Sequence, residues 1–319
     1  MLSSEIGSTG VSLTQLGFGG ASLGNLYRVT SQEDADSALD QAWASGIRYF
    51  DTAPHYGLGL SERRIGTGLA SRPRSEYVIS TKVGRLLIPQ VPPTELDPEM
   101  FVVPGDWRRE WDFSRDGVLR SVESSLVRLR TDRIDILLLH DPDVSGIEKA
   151  AETGAAALIE LRDQGVVGAV GIGSNSSEAV AELFSRADID LAMLAGRYTL
   201  MEPRGADAVF EAARGRAIVS AGVFNSGLLA NDRPCPGATY NYEPANPQLI
   251  REANVLADIC ERHGVTLPQA ALAFPLRNPA VCSVVLGMRN AQQVAHNVKL
   301  AEAALPRSLW SALEDRDLI

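Results

Sequence analysis

The chain has 319 residues, 45% apolar and 22% charged, with a formal net charge of −10 at neutral pH. That composition excludes a disordered chain, supplies a large core without disulfide or metal staples, and works against a nucleic-acid partner, because an acidic chain repels a phosphate backbone. Three widely spaced cysteines (Cys235, Cys260, Cys282), a start "MLSSEIGSTG" without signal-peptide character and no apolar run of spanning length lead to the expectation of a cytoplasmic protein with no membrane partner.

The first apolar run, "TQLGFGG" at 14–20, leads through a polar segment to a helix predicted over 31–46, where Ser31 and Asp34 form a capping-box pattern and Gly46 a stop. Further runs follow at 47–53, 77–83, 134–140, 166–174, 189–195, 217–222 and 282–287. Helices are predicted over 115–130, 147–164, 176–186, 203–215, 247–263, 290–302 and 306–316. Several runs are continuous and β-branched, the pattern of parallel strands covered on both faces. Eight such alternations predict a single domain over 1–319 folded as a closed (β/α)₈ (TIM) barrel. A doubly wound dinucleotide fold is the competitor. Its fingerprint fails in "GFGGASLG", where Ser22 stands in place of the third glycine and a polar segment separates the motif from the helix. There is no Walker sequence and no nucleophile elbow. The connections 84–114 and 228–246 are long and follow strand ends, so both are expected over the barrel mouth as lids. They carry Phe101, Trp107, Trp111, Phe113, Tyr240 and Tyr242 as aromatic candidates, with packing on the rim the alternative.

The barrel assignment places Asp51 at the end of the second strand, Lys82 at the end of the third and His140 at the end of the fourth. Tyr56 lies in the loop beyond Asp51. A buried lysine or aspartate is costly unless paired, so four such groups at one mouth point to chemistry. A tyrosine holds its proton to about pH 10; a nearby ammonium favours the phenolate and lowers that value, and a carboxylate behind the lysine keeps it charged. A neutral histidine orients a substrate oxygen. The set suits proton transfer at a carbonyl–alcohol centre. No metal-ligand spacing is present; "HDPD" at 140–143 is more simply a strand end.

Together, "FDTAPHYG", "STKVG", "IDILLLHDPD" and "GIGSNS" resemble the aldo-keto reductases, nicotinamide-dependent (β/α)₈ oxidoreductases, with the likeness running from about residue 14 to 300. The resemblance implies a catalytic tetrad of Asp51, Tyr56, Lys82 and His140, with Tyr56 transferring the proton. It implies Ser174 and Asn175 on the nicotinamide carboxamide and Phe224, Asn225, Ser226, Gly227 and Leu228 around the pyrophosphate. Gly287, Met288, Arg289, Gln293 and Asn297 fall where the family holds the adenosine ribose. Three positions depart from the pattern. Ala195 stands where the family has a glutamine, Ala221 where it commonly has a stacking tyrosine, with Phe224 near, and Gln293 where it has the arginine that pairs with the 2′-phosphate of NADP. An amide serves a ribose hydroxyl better than a phosphate, which implies NAD, with NADP possible through Arg289.

The segments "GVFNSGLLA", "ATYNYEPA" and "WDFSRDGVLRSVESSL" resemble a bacterial branch that oxidises L-fucose, D-arabinose and similar aldoses at the anomeric carbon to a lactone, and that also converts the ring-closed hemiacetal of pyridoxal. The expected partner is a small-molecule substrate, an aldose first and pyridoxal second. Arg115, Asp112, Arg197 and Asn225 are candidate partners for sugar hydroxyls, and Trp107, Trp111, Tyr240 and Tyr242 for stacking. A nucleotide-sensing subunit without turnover is the alternative from another class.

Overall fold

The computed structural model describes residues 1–319. Eight parallel strands close a barrel in chain order: β1 (Leu16–Gly19), β2 (Tyr49–Asp51), β3 (Val78–Val83), β4 (Ile136–His140), β5 (Ala169–Ser174), β6 (Leu191–Ala195), β7 (Ala217–Ala221) and β8 (Val281–Gly287). The last returns to the first with Gly287 beside Gly19. Around them lie α1 (Gln32–Ala44), α2 (Leu60–Leu69), α3 (Arg115–Leu129), α4 (Ala155–Asp163), α5 (Ser177–Arg186), α6 (Asp207–Ala213), α7 (Pro247–Arg262), α8 (Leu267–Ala273), α9 (Ala291–Ala301) and α10 (Arg307–Glu314). No helix is long and apolar enough to cross a membrane.

The strands read as unbroken apolar runs because both their faces are covered. Tyr49, Ile136, Leu138, Met193, Val219 and Val285 fill the barrel interior. Ile6 and Leu13 join that cluster from an antiparallel N-terminal hairpin (Ser3–Glu5 with Ser12–Thr14), beside the first residues of β5, β6 and β7. The hairpin therefore closes the bottom of the barrel, each buried Ile or Leu contributing roughly 1.5–3 kcal/mol. Helix α1 buries Ala35, Ala38, Leu39 and Ala42, the 3–4 spacing of an apolar stripe. Its Ser31 accepts from the Asp34 N–H, but Asp34 Oδ2 accepts from the Ser31 hydroxyl, so half of the expected capping box forms.

Helix α2 starts after Gly59, and the Ser61 hydroxyl within it donates to Gly20 O at 2.8 Å and meets Thr52 Oγ1 at 2.8 Å. That ties α2 to the ends of β1 and β2. The connection 84–114 is not an open loop: Arg85–Thr94 pairs antiparallel with Gly105–Trp111, and its tip docks on the loop after β1 through Val102 N–Asn25 O (3.0 Å) and Tyr27 N–Met100 O (2.8 Å). The connection 228–246 holds one small antiparallel pair, Thr239–Tyr240 with Glu243–Pro244. Helix α8 begins at a capping box of Thr266 and Gln269, close behind α7.

Two backbone segments touch where the loop after β2 passes the loop after β1. A Cβ on Gly57 would lie 2.2 Å from Gly24 O, and Gly57 has φ +62, a conformation that costs an L-residue about 1–2 kcal/mol. Gly57→Ala is therefore expected to lower the unfolding free energy by at least about 2 kcal/mol in urea titrations.

Candidate active site

Strand register brings the ionisable residues together. Asp51 ends β2 beside Gly19 of β1 and Ser80 of β3, and Lys82 follows two residues on along β3. His140 ends β4 beside Gly173 of β5. Lys82 Nζ donates to both Asp51 oxygens (2.9 and 2.8 Å), to Thr52 O at 2.9 Å and to Tyr56 Oη at 3.1 Å. The ammonium is 2% exposed. Ser80 Oγ donates to Asp51 Oδ1 at 2.7 Å and meets Tyr49 Oη at 3.0 Å, so the carboxylate is aimed from behind. The His140 ring lies edge-on to the Tyr56 ring, 5.8 Å between centroids, and neither of its nitrogens makes a hydrogen bond; Nδ1 is buried and unpartnered.

Burial works to discharge Lys82, but the Asp51 carboxylate and Tyr56 outweigh it and hold the amine above its ordinary value. Burial pushes the Tyr56 phenol up to about 12, over the opposing pull of Lys82 and with Asp51 adding to the rise. The lysine acts in the direction expected from the sequence, yet desolvation wins and the phenol keeps its proton at neutral pH. His140 is held well below 6.5 by burial, then by the Arg85 and Lys82 charges, so its ring is neutral.

These groups open into one cavity of about 760 Å³ at the C-terminal ends of the strands. It runs from Asp51, Tyr56, Lys82 and His140 past Ser174 and Asn175 to Phe224, Ser226 and Gly227, and on to Gly287, Arg289 and Gln293. A shallower depression of about 520 Å³, lined by Arg72, Arg74 and Arg130, lies outside the barrel between α2 and α3, away from the strand ends. Ser174 Oγ donates to Asp143 and accepts from the Ser176 N–H. Ala195 and Ala221 both line the cavity, leaving a smooth wall beside Phe224. Gln293 Oε1 accepts from the Arg289 N–H at 2.9 Å, while the Arg289 guanidinium donates to Thr30 Oγ1 at 2.9 Å and to the Leu26 and Arg28 carbonyls.

Several expected contacts lie elsewhere. Leu228 and Met288 are fully buried in the core. Asn225 sits beneath the cavity floor at φ +46, and neither polar atom of its side chain has a partner. Asn297 is buried in α9, off the cavity. Trp107 is 44% exposed and outside the cavity. Trp111 stands one step behind it, carrying the Arg85 guanidinium 4.4 Å over its ring and stacking on Phe113. The Tyr240 hydroxyl donates to Glu202, leaving Tyr242 as the aromatic of that loop on the cavity. Arg115 pairs with Glu160, Asp112 with Arg120, and Arg197 with Glu202, all as surface or loop ties.

The family model described as "Aldo/keto reductase family" matches residues 15–317. The chain belongs to that family. This aldo/keto reductase is 45% identical over 317 residues to a D-threo-aldose 1-dehydrogenase from Pseudomonas sp, covering 98% of this chain and 96% of the relative. It is 39% identical over 333 residues to a pyridoxal 4-dehydrogenase from Microbacterium luteolum, covering 98% and 97%. Among solved structures, the holo form of an aldo-keto reductase from Bacillus halodurans aligns with a TM-score of 0.77 at 26% identity, covering 99% of this chain and 96% of that one. The protein is an oxidoreductase.

The aldo/keto reductase cavity also contains residues that the sequence pattern did not mark: His55, Arg85, Glu99, Met100 and Asp141. Only the hairpin fold brings Arg85, Glu99 and Phe101 to the mouth. His55, just before Tyr56, was the one available signal. Its Nδ1 accepts from Arg109 Nε at 2.7 Å, and Arg109 is itself held by Asp97 at 2.6 and 2.7 Å. Burial, then Arg85, Arg109 and Lys82, push the His55 ring down to about 2.

His55 and His140 both sit below the ordinary 6.5, so the stability they contribute is present above that pH. It is lost as the pH falls below it, by about 1.4 kcal/mol per pH unit for each ring. Asp141, raised by burial to about 6, opposes them below that pH, because the folded chain then holds a proton that the unfolded chain lacks. Unfolding free energy is expected to fall by about 2–3 kcal/mol between about pH 7 and about pH 5. His55→Gln should flatten that dependence in the same measurement.

Proposed function

We propose that the enzyme oxidises the anomeric carbon of a ring-closed aldose to a lactone, with NAD as the preferred cofactor. The observation that carries this reading is the Asp51–Lys82–Tyr56 cluster with neutral His140 at the deep end of the cavity, under a wall of polar side chains (His55, Arg85, Glu99, Asp141). The 45% identity to an aldose dehydrogenase over nearly the whole chain supports the substrate class.

The cavity's other arm fits a dinucleotide. Its lining runs from Tyr56 to Gln293 and offers the Asn175 and Gln293 amides and the smooth wall of Ala195 and Ala221. The N-terminus of α9 directs its amides to the same end, a favourable place for phosphate charge. The unpartnered Asn225 amide lies under that arm. Gln293 Nε2 remains free for ribose hydroxyls, while Arg289 is occupied by protein oxygens, which favours NAD over NADP.

A bound nicotinamide supplies the hydride acceptor. Tyr56 Oη takes the proton of the anomeric hydroxyl, and Lys82 stabilises the phenolate that must exist for it to do so. Asp51 keeps Lys82 charged and aimed. His140, neutral and without a hydrogen bond to the protein, its Nε2 3.6 Å from Asp141 Oδ2, donates to and orients the reacting oxygen. The cluster of aromatic rings at the substrate end (Tyr56, Phe101, His55 and His140, mostly packed edge to face) also favours a second reading, oxidation of the pyridoxal hemiacetal.

The test follows NADH absorbance with NAD or NADP against L-fucose, D-arabinose and pyridoxal. Turnover of an aldose with NAD is expected; turnover of pyridoxal alone would favour the second reading. Tyr56→Phe should keep NADH affinity in fluorescence titrations and lose roughly 100- to 10,000-fold in kcat. Oxidation requires the phenolate and the phenol is raised to about 12, so kcat is expected to keep rising with pH through the alkaline range. A flat or falling profile would remove Tyr56 as the base.

A further inference from the structure

Arg85 and Asp141 face each other across the substrate end of the cavity, three residues beyond Lys82 and one beyond His140. Their contact is an ion pair between Arg85 Nη2 and Asp141 Oδ2. It leaves both partners half used. Asp141 Oδ1 makes no hydrogen bond, and Arg85 Nε is buried and unpartnered. Arg85 Nη1 points at His55 Nδ1 from 3.5 Å, but that lone pair is already taken by Arg109 Nε at 2.7 Å. The pair therefore sets a donor without a well-placed acceptor, Arg85 Nη1, beside a free acceptor oxygen, with Arg85 itself only 9% exposed.

Its position is enforced from both sides. Trp111 lies under the guanidinium at 4.4 Å, which fixes the plane of the fork. Asp141 adopts φ +43, an uncommon conformation for a non-glycine residue that persists only where the surroundings hold it. A surface ion pair needs neither device.

We propose that Arg85 and Asp141 form a clamp for the vicinal ring hydroxyls next to the anomeric carbon, those on carbons 2 and 3. Arg85 donates to one hydroxyl oxygen, and Asp141 Oδ1 accepts the proton of the other. The assignment rests on the aldose reading above and makes it more specific. A site built to hydrogen-bond a hydroxyl discriminates strongly against an analogue that lacks it, because its buried polar groups are then left unpaired. The ring-closed hemiacetal of pyridoxal is fused to an aromatic ring and has no such diol, so it leaves the clamp unsatisfied.

The experiment compares kcat/KM for D-arabinose and 2-deoxy-D-ribose, which differ only in the hydroxyl on carbon 2, in the unaltered enzyme, Asp141→Asn and Arg85→Gln. Asparagine tolerates the left-handed backbone, and NADH titration of each variant checks that the site is folded. The unaltered enzyme should prefer the hydroxylated sugar by roughly 10- to 100-fold, the contribution expected of a hydrogen bond to a charged group. In at least one variant, that of the residue holding the carbon-2 hydroxyl, that preference should collapse to within about threefold, mostly through KM. Turnover of the aldose with an undiminished preference in both variants that bind NADH overturns the clamp and leaves the aldose reading standing. Failure of the unaltered enzyme to oxidise any aldose overturns the aldose reading and the clamp with it.

Discussion

The ion pair of Lys82 and Asp51 is the interaction on which the rest of the site depends. Both groups sit at strand ends inside a closed barrel, where an isolated charge would cost several kcal/mol. Each is tolerable only because the other lies 2.8 Å away and because Ser80 and the Thr52 carbonyl take up their remaining hydrogen-bonding capacity. Removing one partner of such a pair typically costs about 3–5 kcal/mol, since the survivor is left charged and alone. The barrel thus maintains a positive charge 3.1 Å from a phenol in a place where water would not stabilise it. That charge works against burial at Tyr56; at His140 it adds, after burial and Arg85, to what keeps the ring uncharged.

Tyr56 is positioned by its loop as well as by Lys82. The tyrosine comes from the loop after β2, held where Gly57 meets Gly24 and where Ser61 ties α2 to Gly20 and Thr52. The hairpin after β3 completes the other wall. Its first residue, Arg85, reaches Asp141, its tip pairs with the loop after β1, and Arg109 and Asp97 brace His55. The same loop after β1 receives Arg289 from the far end of the cavity, through Leu26, Arg28 and Thr30. One short loop therefore touches both the hairpin that lines the substrate end and the arginine beside α9.

The barrel was legible in the sequence because doubly covered strands must be apolar along their length and because helices between them repeat at regular intervals. The meeting of Asp51, Tyr56, Lys82 and His140 was legible for a related reason: strand ends in a barrel share one face. The hairpin at 85–111 was not, since its two-residue alternation is interrupted by prolines at 89, 92 and 93 and reads as loop. Without the hairpin, nothing marks Arg85 or Glu99, and Asp141 looks like the end of a strand. Of the aromatics, Phe101 and Tyr242 do line the cavity, but the tryptophans misled because a tryptophan on a hairpin has two faces, and Trp111 turns its own to Arg85 rather than to the cavity. The phenol of Tyr56 ran opposite to expectation because a sequence shows which charges are near but not how much water is excluded.

The most direct test of this account is the charge on Lys82. The chain has only three lysines, Lys82, Lys149 and Lys299, and the last two are exposed, so an NMR titration of ¹⁵N-labelled lysine side chains yields an assignable Lys82 signal. The account predicts an ammonium that keeps its proton above the ordinary 10.5 for as long as the protein stays folded. A Lys82 amine that loses its proton below that value would contradict it, because the buried pair would then not be ionic and Tyr56 would have no charge beside it.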